Sequence, residues 1–195
     1  MGHKSGQDSP LRSEGQIPMK VMKFGGSSVA DATRIAAVIR IVAAQAATER
    51  ICVVFSAMKG VTDELLTAAG EAVLGDQAYA NRLESIRRRH LDAAAALVSG
   101  AAHEELVADI EARCEELSEL LHGVRLVREC PPRTQDLIVS FGERLNCRNI
   151  AAAMQAADLP ARYVDARDIV RTDANHGAAS VDFEETYRRA AAELA

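Results

Sequence analysis

The sequence contains no tryptophan, and aromatic residues make up only 4% of its 195 positions. Hydrophobic residues still account for 48% of the chain, and alanine supplies much of that share. A chain of this length is long enough to bury a sizeable core. We therefore expect one domain with a helix-rich core that is packed with small side chains.

The chain also lacks an excess of basic residues, because 23 Lys and Arg are outnumbered by 28 Asp and Glu, for a net charge of −5. Proteins that bind the nucleic-acid backbone normally carry a basic face, so the charge argues against a nucleic-acid partner. There is no apolar run of about 18 residues, the length that a membrane-spanning helix needs. We therefore expect no membrane association.

Cysteine pairs with metal-binding or redox spacing are missing as well. The four cysteines form no CxxC pair and have no histidine at ligand spacing, which favours reduced thiols in a cytoplasmic protein without a protein-bound metal. None of the five histidines belongs to a catalytic triad pattern, and we expect all of them at the surface.

Residues 1–18 are polar, rich in Gly, Ser and Gln, and lack the apolar segment of a secretory signal. This composition predicts a disordered leader or an expression tag. The folded domain is predicted to occupy residues 19–195.

A strand–helix–strand unit is predicted at the start of this domain. Met19–Phe24 is typical of a buried strand, Asp31–Thr48 has the apolar spacing of a helix capped by Asp31, and Ile51–Phe55 is typical of a strand covered on both faces. Such units build parallel sheets with helices on both faces, and ligands bind beyond the carboxyl ends of their strands.

The rest of the chain predicts mostly helices. The predicted elements are a helix capped by Thr62 or Asp63 and ending near Leu74, a helix pair over 77–122, a helix over Thr134–Ala157, short strands at Ala161–Val164 and Ile169–Arg171, and a helix over Asp182–Leu194.

A candidate phosphate-binding loop follows the first strand. The sequence has neither a Walker A loop nor a GxGxxG motif, but Lys23 precedes Gly25-Gly26 and two hydroxyls, Ser27 and Ser28. Glycine lets backbone N–H groups approach an anion, and lysine supplies a mobile cation for phosphoryl transfer. The alternative is a structural tight turn with a lysine that extends to water.

Two further segments carry candidate binding residues. The loop from Ser56 to Thr62 follows the second strand and leads into a helix, so it should lie at the same sheet edge as the diglycine. Gly142 interrupts a helical pattern, and because glycine is unfavourable inside a helix, its presence there indicates a role in packing or function. The neighbouring Glu143 is able to pair with an amine. The alternatives are a plain helix cap for Thr62 and an exposed ion pair for Glu143.

Together these segments resemble aspartokinases of the amino-acid kinase superfamily. Lys23–Val29 is similar to the family's KFGGTSV, with Ser27 where threonine is usual. Val53–Asp63 is similar to VVVSAMxGVTD, and Ser140–Leu145 is similar to S-x-GERL, with Asn146 at the usual position of a small hydroxyl residue. The segments Val164–Arg167 and Arg171–Asp173 resemble the family's DAR…TD stretch.

The resemblance implies a three-layer α/β/α amino-acid kinase fold with a mainly parallel sheet. It also implies ATP-dependent phosphorylation of L-aspartate to 4-phospho-L-aspartate, the first step of lysine, threonine and methionine biosynthesis. Magnesium would be held mainly by the nucleotide, and the full-length parent would be a homo-oligomer.

Carried over by position, the resemblance assigns roles to the candidate residues. Lys23 would be catalytic, by stabilising the transferring γ-phosphoryl group. The implied ATP phosphate-binding residues are Lys23, Phe24, Gly25, Gly26, Ser27 and Ser28. The implied aspartate-binding residues are Ser56, Thr62 and Glu143.

Two other functions stay open. Another amino-acid kinase would act on glutamate, acetylglutamate or UMP, which the second and third segments disfavour. A non-catalytic module would bind aspartate or assemble with other chains without turnover.

The family continues beyond the position of Ala195 with the adenine and ribose site and ACT regulatory domains. We therefore expect the 195-residue chain alone to lack kinase activity. A coupled ATPase assay with aspartate measures this directly, and turnover near that of a full-length aspartokinase would contradict the expectation.

Overall fold

A computed structural model describes residues 19–194, so the predicted leader at 1–18 lies outside the described residues. The fold opens with strand β1 (Met19–Phe24), helix α1 (Ala32–Ala46) and strand β2 (Arg50–Phe55). The two strands pair in parallel, with Phe24 opposite Phe55. The predicted βαβ unit is confirmed, and the side chain of Asp31 caps α1 as expected.

Helices form most of the remainder of the described chain. They are α2 (Val61–Leu74), α3 (Tyr79–Leu97), α4 (Gly100–Val127), α5 (Pro132–Ala156), α6 (Ala166–Ile169) and α7 (Phe183–Glu193). The helix pair predicted over 77–122 forms as α3 and α4, and the predicted α/β class is confirmed.

The core lies mainly between helices α1 to α5. Each of these helices contributes at least one fully buried large side chain: Ile35, Leu65, Ile86, Leu117 and Phe141. Buried alanines fill the space between them, namely Ala68, Ala69, Ala72, Ala93, Ala94 and Ala153. The alanine-rich core expected from the composition is therefore present, and it allows close approach of neighbouring helices.

The predictions that the first strand is buried and that the second is covered on both faces are wrong. Val21 and Val54 point away from the helices and keep 65% and 47% of their surface exposed. Within residues 19–194 the sheet has two strands, and the helices that contact it, α1 and α5, pack against β2. In this protein an apolar run therefore predicts a strand correctly, but it does not predict that both faces of the strand are buried.

The two short strands predicted near the C-terminus are also wrong. Ala161–Val164 forms no strand, and Ile169 ends the short helix α6, whose N-terminus is capped by Asp165. A single antiparallel bridge between Thr172 and Val181 is the only pairing in this part of the described chain. A strand needs a neighbouring strand for its backbone groups, and among the described residues these segments lie beside none; the backbone of Arg171 instead bonds with Asp182 and Thr186.

Helix α2 begins at least two residues earlier than the predicted caps allow. Its N-cap is Gly60, whose φ of 83° is in the left-handed region that favours glycine. Neither Thr62 nor Asp63 is the cap, because both already lie inside the first turn. The side chain of Thr62 is therefore not used for capping.

His90 corrects the expectation that all histidines lie at the surface. Its side chain is fully buried, and Nδ1 lies 2.7 Å from the carbonyl oxygen of Ile86. Burial lowers the pKa of His90 from its ordinary 6.5 to about 4, although the contact with Ile86 opposes this shift. The folded protein therefore keeps His90 neutral well below pH 6.5.

The free energy of unfolding should fall as the pH drops from 6.5 towards 4. In this window the unfolded chain protonates His90 and the folded chain does not, which destabilises the fold by about 3 kcal/mol at the lower limit. Urea denaturation at several pH values measures the loss. The variant His90→Leu should lack this component, and an identical pH dependence in both proteins would contradict the assignment.

Candidate active site

A short 3-10 turn over Gly26–Val29 follows β1 and carries the predicted phosphate loop. The N–H of Ser28 donates to the Gly25 carbonyl at 2.8 Å, which closes the turn. The first N–H groups of a helical turn have no acceptor within it and remain available to an anion. The exposed ammonium of Lys23 lies nearby, 3.9 Å from the position that a β-carbon on Gly25 would occupy.

Gly26 brings this turn against the loop that follows β2. A β-carbon on Gly26 would lie 2.8 Å from the carbonyl oxygen of Ala57 and 3.3 Å from the nitrogen of Lys59. The N–H of Ser56 also donates to the carbonyl of Phe24 at 3.1 Å. The predicted convergence of the two loops is therefore present, and at this contact only glycine fits.

Helix α5 approaches the same loop from the opposite side. A β-carbon on Gly142 would lie 2.8 Å from the β-carbon of Ala57, so the glycine has the packing role that the interrupted pattern indicated. Glu143 follows it, and its Oε1 accepts the N–H of Ala57 at 3.2 Å. Glu143 is half-buried against the loop, and the alternative of an exposed helical ion pair does not describe it.

The other predicted site residues lie around this junction. Ser27 and Ser28 are exposed on the turn, while Ser56 and Thr62 are half-buried at the end of β2 and the start of α2. Phe24 is different, because its ring stacks on Phe55 with a centroid distance of 5.8 Å. Phe24 can therefore offer a phosphate only backbone contacts.

Two residues of α5 that contact the loop were not among the predicted site residues. Asn146 is fully buried and donates from Nδ2 to the Ser56 carbonyl at 2.7 Å, and the Cys147 thiol lies 3.8 Å from the Phe55 carbonyl. Burial raises the pKa of Cys147 to about 11, and the charge of Glu143 adds to the shift. The sequence signal for both residues was their spacing of three and four positions after Glu143, because residues at this spacing share a helix face.

Arg144 anchors α5 on the side away from the loop. Its guanidinium is buried, stacks over the ring of Phe141 at 4.4 Å, and lies 3.4 Å from Glu116 and 3.9 Å from Asp165. A side-chain hydrogen bond from Arg167 lowers the pKa of Asp165 to about 2, so this carboxylate stays charged. The charges tie α5 both to α4 and to the segment that precedes α6.

Residues 19–194 contain neither a metal-binding cluster nor a membrane-spanning helix. No group of three or more His, Cys, Asp or Glu side chains is placed to hold a metal ion. No helix in this part of the chain combines the length and the apolar character required to cross a membrane.

Known proteins are similar to this chain in sequence. The chain is 33% identical to an aspartokinase of Candida albicans over 156 residues, which is 77% of this chain and 28% of that protein. It is 37% identical to the chloroplastic aspartokinase 3 of Arabidopsis thaliana over 154 residues, 76% of this chain and 26% of the relative. The chain thus spans less than a third of the length of these relatives.

Solved structures agree with the sequence relatives. Escherichia coli aspartokinase III in complex with lysine and aspartate superposes with a TM-score of 0.77 at 27% identity, over 89% of this chain and 37% of that one. The complex of the same enzyme with aspartate and ADP gives a TM-score of 0.76.

The family itself is identified by a match that covers most of the chain. Residues 18–192 match the amino acid kinase family. The chain therefore belongs to the amino acid kinase family, and it resembles the N-terminal catalytic region of aspartokinases.

Proposed function

We propose that this chain forms the aspartate- and γ-phosphate-binding part of an aspartokinase, which phosphorylates L-aspartate with ATP to give 4-phospho-L-aspartate. The observation that carries the proposal is the position of Ala57. Its carbonyl oxygen packs on Gly26 of the phosphate turn, and its N–H donates to Glu143 of the candidate aspartate site. The E. coli enzyme with the similar fold was crystallised with aspartate and ADP, which supports the same ligands here.

The phosphate side of the proposed site is built on the diglycine turn. Backbone N–H groups at the start of the turn would bind phosphate oxygens, with the hydroxyls of Ser27 and Ser28 beside them. The exposed ammonium of Lys23 would stabilise the charge that develops on the transferring phosphoryl group.

The aspartate side is built on Glu143. One of its carboxylate oxygens accepts the Ala57 N–H, which leaves the second for the substrate's α-ammonium. Ser56 and Thr62 would donate hydroxyls to a substrate carboxylate, and Thr62 is free to do so because Gly60 holds the cap position. The substrate's β-carboxylate would attack the γ-phosphorus in line, so catalysis would require positioning and charge stabilisation rather than a protein nucleophile.

Magnesium would enter with the nucleotide. Mg²⁺ keeps several waters and commonly binds through substrate phosphates and one or two carboxylates, so it does not require a dedicated protein cage.

Several finer assignments complete the proposal. The product would be used in lysine, threonine and methionine biosynthesis, in the cytoplasm, and the complete protein would be a homo-oligomer. The exposed apolar side chains of Val21, Val54, Phe183 and Tyr187 supply surface on which further chain could pack. Gel filtration with light scattering measures the mass of the particle and so tests whether the complete protein is a homo-oligomer.

Removing the Glu143 carboxylate should weaken aspartate binding. Titration calorimetry with L-aspartate should show a loss of at least about tenfold in affinity for Glu143→Ala, because a hydrogen bond to a charged group is lost. Glu143→Gln should be weakened as well, although it keeps an acceptor for the Ala57 N–H. The exposed Glu104→Ala is the matched control, and an unchanged affinity in the Glu143 variants would refute the site.

Lys23 should contribute to phosphate binding more than another exposed lysine of the same strand. Calorimetry with ATP and with tripolyphosphate should show weaker binding for Lys23→Ala, by about tenfold, since one cation facing the phosphates is lost. Lys20→Ala is the control, because Lys20 is exposed and pairs with Glu49 at 2.7 Å. Equal effects of the two variants, or a wild-type chain that binds neither ligand, would contradict the proposed phosphate site.

A further inference from the structure

One peptide group beneath the candidate aspartate site is held at both ends by α5. Asn146 Nδ2 donates to the Ser56 carbonyl at 2.7 Å, and Glu143 Oε1 accepts the Ala57 N–H at 3.2 Å. This carbonyl and this N–H belong to the same peptide bond, which is trans, so the two groups point in opposite directions. The two contacts together fix the orientation of the peptide plane.

The sequence of α5 produces this arrangement through helical spacing. Glu143 and Asn146 are three residues apart and therefore share one face of the helix. Gly142 lets that face approach the loop, because its missing β-carbon would lie 2.8 Å from the β-carbon of Ala57. The Asn146 side chain is completely buried, and its Nδ2 donates to the Ser56 carbonyl from inside the protein.

We propose that Asn146 is a positioning residue for substrate binding. By holding the Ser56 carbonyl, it orients the Ala57 N–H towards Glu143 and so fixes the carboxylate that receives the substrate's ammonium group. A rotated Ser56–Ala57 peptide would leave the Glu143 carboxylate without its backbone donor and free to adopt other rotamers. The substrate part of this inference rests on the proposed aspartate site.

Asn149 offers a matched control on the same helix. Its side chain is 1% exposed, and it donates from Nδ2 to a backbone carbonyl, that of His90, at 3.2 Å. Both asparagines have a buried Oδ1 without a hydrogen-bond partner among residues 19–194. Asn149→Ala therefore removes the same group from the same helix, but the hydrogen bond that it removes goes to α3 and not to the loop.

The test compares Asn146→Ala and Asn146→Leu with Asn149→Ala in the full 195-residue chain. Leucine keeps the number and branching of the side-chain heavy atoms of asparagine and removes the donor, so it guards against a variant that fails to fold through loss of packing. NMR measures the rate of hydrogen exchange at the Ala57 amide, and denaturation curves correct this rate for any change in global stability. The corrected rate should be about tenfold faster in both Asn146 variants. Asn149→Ala should leave the exchange of Ala57 at the wild-type rate.

Calorimetry with L-aspartate provides the second measurement. Both Asn146 variants should bind aspartate about tenfold more weakly, and Asn149→Ala should bind it normally. If Ala57 exchanges equally in all variants, the inference that Asn146 orients the Ser56–Ala57 peptide is wrong. If exchange rises while aspartate affinity is unchanged, the role in substrate positioning is wrong. A wild-type chain that binds no aspartate contradicts the proposed function, and Ala57 exchange still decides whether Asn146 orients the loop.

Discussion

The position of Ala57 between two glycines is the constraint on which the candidate site depends. Gly26 packs against its carbonyl oxygen and Gly142 against its β-carbon, each at a distance that excludes a further methyl group. The parallel pairing of β1 and β2 brings the first glycine to the loop, and the packing of α5 brings the second. The phosphate turn, the loop and the helix with Glu143 are therefore assembled around one small residue.

Two neighbouring charged residues of α5 have different partners. Glu143 contacts the loop, whereas Arg144 is buried with Glu116 and Asp165 near its guanidinium. A buried charge is costly unless it is paired, and here two carboxylates and the ring of Phe141 surround it. This anchoring holds the register of α5, and hence the position of Glu143, independently of any ligand.

Local patterns predicted most of what forms this site. The first strands, α1 and the two loops follow from short-range periodicity and from the rule that parallel strands end at one edge. Gly142 was recognisable because glycine is unfavourable inside a helix. The spacing of Asn146 after Glu143 indicated a shared helix face. Its burial was not predictable, because it depends on the packing of α5 against a loop about ninety residues away in sequence. The wrong prediction of two C-terminal strands has the same explanation, since strand pairing requires a neighbouring strand that the segment's own sequence does not specify.

The thiol of Cys147 has a consequence for the chemistry that this loop tolerates. It lies beneath the loop against the Phe55 carbonyl, and its pKa of about 11 keeps it protonated near neutral pH. Oxidants and alkylating reagents attack the thiolate form, and the raised pKa lowers the fraction of this thiol in that form. The cysteine next to the candidate substrate pocket is therefore held in its less reactive form.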